Sequence, residues 1–189
     1  MQLHLKMTDE GGDKLQLFPA ARAGMIRVAV YDGPGAQNGI GRGPAWLRAR
    51  LARDPGMHPE LVGPNEILNG VLDQADVLVI GGGKATPQSE GLGKEGRERV
   101  VKFVKNGGGF VGICAGAYLA SNSSGKWNHL ELLPVETKGT DLGCKTPLVW
   151  SESPAGTARV ESADLNGGPI FNLMEPVSNS VQVWARFQR

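Results

Sequence analysis

Among the side chains of this sequence that can act as nucleophiles, Cys114 has the most informative surroundings. It lies in Gly112-Ile-Cys-Ala-Gly116, with a glycine two positions to either side, between the apolar run Phe110-Val-Gly-Ile113 and the small residues Ala115 to Ala120. That spacing is the one a nucleophile elbow uses, a strained strand-to-helix turn that leaves no room for side chains at its flanks. The helix start beneath would favour thiolate over thiol. The same spacing also fits a generic tight turn around an inert buried thiol, so the neighbouring residues have to decide. Cys144, between Gly143 and Lys145, has no such context and reads as an ordinary thiol.

A thiolate attacking a carbonyl needs donors for the oxyanion and a base for the proton. Gly81-Gly82-Gly83 closes the apolar run Asp76 to Ile80, and its backbone can supply one N–H donor while Ala115, the residue after the nucleophile, supplies another. Substitution of Gly82 or Gly83 is expected to harm ligand approach more than folding. The imidazoles available are His4, His58 and His129. His129 follows the elbow helix and can return to the thiol, or it is a loop histidine beside Trp127. Asp32, at the end of the first strand, is expected near Cys114, though not as its sole base, because a carboxylate beside a thiolate raises the thiol pKa. His58 precedes Pro59, which favours extended backbone and a structural role.

The elements that would carry these residues alternate. Met25 to Tyr31 reads as a strand ending in turn residues, Pro44 to Asp54 as a helix with Trp46 in the core, and Met57 to Val62 as a weaker strand. Pro64 to Val71 reads as a short helix, Asp76 to Ile80 as a buried strand, Lys94 to Asn106 as an amphipathic helix stopped at Gly107, and Phe110 to Ile113 as a buried strand. Strand, helix, strand in this order predicts parallel crossovers, with Asp32, Gly81 to Gly83 and Cys114 all at strand C-termini, the edge where open α/β sheets bind ligands. Asn122 to Lys126 reads as a polar loop. Leu130–Val135, Leu148–Trp150, Ala158–Glu161 and Val181–Phe187 read as short strands of an antiparallel extension. Gly33, Gly35 and Gly39 do not have the Gly-x-Gly-x-x-Gly spacing of a dinucleotide loop, and Lys84 follows Gly83 without the spacing of a phosphate loop.

Composition narrows the partners. The 189 residues are 40% hydrophobic, enough for one domain with a core, and 20 Lys plus Arg against 19 Asp plus Glu leave a formal net charge of +1. No global field draws nucleic acid or an anionic membrane, and no apolar run approaches a membrane span. Two cysteines form no disulfide framework, which fits a reducing, cytoplasmic compartment. Residues 1–24 show no sustained period and read as an N-terminal extension, with 25–189 as the domain.

Val30-Tyr-Asp-Gly-Pro-Gly35, Val79-Ile-Gly-Gly-Gly83, the elbow segment Gly108 to Ala120 and Asn166-Gly-Gly-Pro-Ile-Phe171 together resemble the class I glutamine amidotransferase-like superfamily, in the group similar to the biotin-protein ligase N-terminal domain. The resemblance runs from Ile26 to about Phe187. It implies a flavodoxin-like, doubly wound, mostly parallel sheet, Cys114 as nucleophile, and an oxyanion loop at Gly81 to Gly83. No cofactor or metal is expected. The superfamily's His-x-Glu pair on a late strand has no match, and the chain ends at Arg189 where related domains continue, so an incomplete active site is expected. An unpaired edge strand there would invite self-association into a homo-oligomer or a covering segment from the N-terminal extension.

Two functions are therefore carried forward: a cysteine-dependent amide hydrolase or amidotransferase-like domain acting on a small-molecule or peptide amide, and a non-catalytic ligand-binding or regulatory module on the same fold. A flavodoxin-like nucleotide binder accounts for the sheet but not for the Cys114 elbow.

Overall fold

The computed structural model describes residues 24–37, 43–122, 128–140, 144–150, 159–165, 167–172 and 181–187. The extension before Gly24, with His4, and nearly all of the polar loop after Ser121 lie outside the described residues.

Strands β1 (Ile26–Tyr31), β2 (Met57–Val62), β3 (Val77–Ile80) and β4 (Gly109–Gly112) form one parallel sheet in the order β2-β1-β3-β4. Alternation along β1 divides the core between the two faces. Ala29 and Tyr31 join Leu78 and Ile80 under Ile67 of α2 (Pro64–Leu68), Leu92 and Val100 of α3 (Ala85–Lys105) and Leu119 of α4 (Ala115–Ala120). Val28 and Val30 join Val79 on the opposite face, under Leu47 and Leu51 of α1 (Pro44–Leu51). Helices on both faces of a parallel sheet make the doubly wound, flavodoxin-like arrangement that the alternating pattern predicts. At the edge away from the site, Arg27 donates from Nε and Nη2 to the Asp76 carboxylate at 3.0 and 2.8 Å, joining the start of β1 to the start of β3. These hydrogen bonds hold the Asp76 carboxyl below its usual range.

The fold corrects several local expectations. Helix α3 begins at Ala85, nine residues before the expected Lys94, and its two segments meet at Gly93, which has φ 64°. Gly91 and Gly93 interrupt the apolar period, yet Gln88, Ser89 and Leu92 in this first segment are buried. The second short helix stops at Leu68, and a separate 3-10 turn spans Val71–Gln74. Strand β4 is not fully buried: Val111 is 46% exposed and Ile113 just beyond it 45%, because β4 is an edge of this sheet and α1 packs over the other strands. Leu130–Val135 is not a strand. Its Leu133 makes one isolated bridge with Ser121, and the strand expected there begins instead as β5 (Glu136–Thr140).

Beyond α4 the described strands are all antiparallel. Strand β5 pairs with β8 (Pro169–Asn172), while β6 (Cys144–Trp150) lies between β7 (Arg159–Leu165) and β9 (Ala185–Phe187).

Candidate active site

The site is built where β4 turns into α4. Cys114 occupies the N-cap of α4 with φ 53° and ψ −106°, and is one of two described non-glycine residues at positive φ. A backbone this strained persists only where its surroundings over-determine it. The flanking glycines do so. A Cβ on Gly112 would stand 2.7 Å from the Gly116 carbonyl oxygen, and a Cβ on Gly116 would run into the Ile80 carbonyl oxygen. The Ile113 N–H donates to Ile80 O at 2.9 Å, and the Gly116 N–H reaches both Gly81 O and Ile113 O, so the turn is hydrogen-bonded down onto the end of β3. The Cys114 thiol is half-buried and donates to Gly167 O at 3.9 Å. The Gly167-Gly-Pro-Ile-Phe171 stretch before and within β8 therefore returns beside the elbow.

The glycine loop after β3 is held on two sides. Gln37 N–H donates to Gly82 O at 2.9 Å and Lys84 N–H to Gly35 O at 2.9 Å, so the loops after β1 and β3 form a short antiparallel bridge at the sheet edge. The buried Gln88, 1% exposed, donates from Nε2 to Gly81 O at 3.1 Å and fixes the loop from below. The two central glycines differ. A Cβ on Gly82 would make an ordinary 3.6 Å contact with the Cys114 Cβ, whereas Gly83 has φ 137° and its Cβ would collide with Gly35 O. Gly82 thus borders the thiol, while Gly83 is required by the backbone; the expectation that substitution harms ligand approach more than folding is corrected at Gly83. Ala115 is the first residue of α4, and first-turn N–H groups have no partner within their own helix.

A pocket of about 260 Å³ opens against these groups, lined by Cys114, Gly81 and Gly82 together with Trp46, Leu47 and Gln37 among other residues. Trp46 is 49% exposed, which corrects its expected place in the core. Leu47 and Leu51 are the α1 residues that pack on the sheet, and Trp46 is left at the pocket. Tyr31 also lines the pocket; its hydroxyl donates to Pro34 O at 3.1 Å, and burial with the nearby Asp32 charge pushes its pKa up to about 12. It remains a neutral donor at physiological pH.

The two described histidines stand elsewhere. His129 Nδ1 lies 3.0 Å from Tyr118 O and 3.3 Å from Ser121 Oγ, at the C-terminal end of the helix whose N-cap is Cys114. Six residues of helix rise about 9 Å between those ends. Burial lowers the His129 pKa, so the ring is held neutral. His58 Nε2 pairs with Glu60 Oε1 at 3.2 Å on β2, three strands across the sheet from β4. Asp32 is exposed after β1, two strands from β4, which at ordinary strand spacing is about 10 Å.

Three residues near the thiol escaped sequence reasoning: Trp46, Gln37 and Tyr118. The last lies one helical turn after Cys114, and burial, then the Cys114 charge, raise its pKa. Spacing of four on a helix is the signal that would have found it.

This architecture is that of the class I glutamine amidotransferase-like α/β proteins. The chain belongs to the biotin-protein ligase N-terminal family, whose model matches residues 26–129, more than half of its length. A solved glutamine amidotransferase shares the fold, with a TM-score of 0.56 and 18% identity over 84% of this chain and 79% of that one. A peptidase E protein from Listeria monocytogenes EGD-e aligns with a TM-score of 0.46 and 16% identity over 60% of this chain, which spans 66% of that protein's length. No curated protein matches the sequence. No described helix is long and apolar enough to cross a membrane.

Proposed function

We propose that the chain is a cysteine-dependent hydrolase or amidotransferase-like domain in which Cys114 attacks the carbonyl carbon of a small-molecule or peptide amide. The observation that carries this reading is the strained φ of Cys114 between two glycines whose positions admit no Cβ, with the thiol beside an open pocket. Structures store strain of this kind where an exposed nucleophile must be presented.

In the reaction the thiolate sulfur forms a bond to the carbonyl carbon, and the carbonyl π electrons move to oxygen, where the N–H groups of Ala115 and Gly82 receive the charge. Collapse expels the amine, which takes up a proton, and leaves a thioester on Cys114. Water then adds, releasing the acid and returning the thiol. Asp32 and His129 belong to this proposal only as groups that would have to move, since each lies about 10 Å from the elbow by element spacing. With no base positioned at the thiol among the described residues, general-base assistance of about 10²–10⁴-fold is not supplied by them, and slow amide turnover is expected.

The same separation of imidazole from thiol favours a second reading, a ligand-binding or regulatory module. Turnover of p-nitrophenyl acetate distinguishes them. The enzyme reading expects steady release of many equivalents of p-nitrophenol that is lost in Cys114→Ser, whereas the binding module releases at most one equivalent from Cys114 and then gives equal rates for both proteins.

A further inference from the structure

We propose that the pocket beside Cys114 takes an uncharged, apolar group of the substrate, with Trp46 as its wall, and not the zwitterionic head of a free amino acid. This deepens the hydrolase reading above and rests on it.

The lining decides the chemistry. Val30, Pro44, Trp46, Leu47 and Ile113 supply apolar surface, Gln37 supplies a neutral amide, and among the described lining residues none is an Asp, Glu, Lys, Arg or His. An ammonium or carboxylate entering this space would give up water and meet no side chain of opposite formal charge among the described lining residues other than the thiol itself, which disfavours it. An apolar group meets the opposite balance. Trp46 and Ile113 are 49% and 45% exposed at the pocket, and covering such surface contributes roughly 25 cal/mol per Å². At about 260 Å³ the space suits one side-chain-sized group rather than a large ligand. The position fits as well, because Gly81, Gly82 and Cys114 line the same pocket as Trp46, so a group held there lies in the space next to the thiol.

The test compares three alkylating probes on the full chain: iodoacetamide, N-benzyl-2-iodoacetamide and iodoacetate. In each the thiolate sulfur displaces iodide and forms a thioether. Rates at Cys114, followed by peptide mass mapping, are divided by each probe's rate with glutathione at the same pH. The expected result is a preference of about tenfold for the benzyl probe over iodoacetamide, with no preference for iodoacetate. Trp46→Ala should lose that preference, and Trp184→Ala, which removes an exposed tryptophan outside the pocket lining, should keep it. A benzyl preference equal to that of glutathione, its survival in Trp46→Ala, or faster labelling by iodoacetate overturns the inference while leaving a reactive Cys114 in place. Failure of all three probes to label Cys114 overturns this inference and the hydrolase reading together.

Discussion

Gly116 packs its Cα against the Ile80 carbonyl so closely that no Cβ fits between them. This contact, with the Gly116 N–H reaching Gly81 O, seats the elbow on the end of β3. Gly116→Ala should therefore push α4 away from β3 and destabilise the fold by about 1–3 kcal/mol, the usual cost of overpacking. Urea denaturation checks this. An unchanged midpoint would mean that the turn has slack and that the Cys114 backbone is not held by its flanks.

The two central loop glycines should separate under mutation. Gly82→Ala adds a Cβ at ordinary contact distance from Cys114, so stability should change by less than about 0.5 kcal/mol while p-nitrophenyl acetate turnover falls. Gly83→Ala forces a side chain into the Gly35 carbonyl at φ 137° and should lose stability first. Thermal melts and turnover on both variants decide the matter, and a reversed order would remove Gly82 from the site.

Acid sensitivity should trace partly to His129. Burial holds its folded pKa below the usual 6.5, so the folded state binds fewer protons than the unfolded one in that range. Its contribution is complete above about pH 6.5 and is lost as pH falls toward the lowered folded value. Urea midpoints from pH 8 to pH 5 should decline less steeply in His129→Gln than in the parent. Parallel slopes would show that another group carries the effect.

The elbow was legible in the sequence because its requirement is local. Two glycines at fixed offsets from a cysteine, after a β-branched run, state a steric demand that the Gly112 and Gly116 contacts then bear out. The parallel sheet was legible for a similar reason, since β1 and β3 are short apolar runs that close in glycine turns. Trp46 was not, because helical spacing says that α1 has an apolar face but not that Leu47 and Leu51 suffice to cover the sheet. The first segment of α3 was hidden by Gly91 and Gly93 and by a buried face made of Gln88 and Ser89. The position of His129 depends on the path of the chain after α4, which no local pattern encodes.

Labelling of the native protein with substoichiometric iodoacetamide, followed by peptide mass mapping, tests the central claim most directly. Presentation of the Cys114 sulfur by a strained elbow beside an open pocket predicts that Cys114 carries the label well before Cys144. Labelling of Cys144 first, or a Cys114 that reacts only after denaturation, would contradict the account.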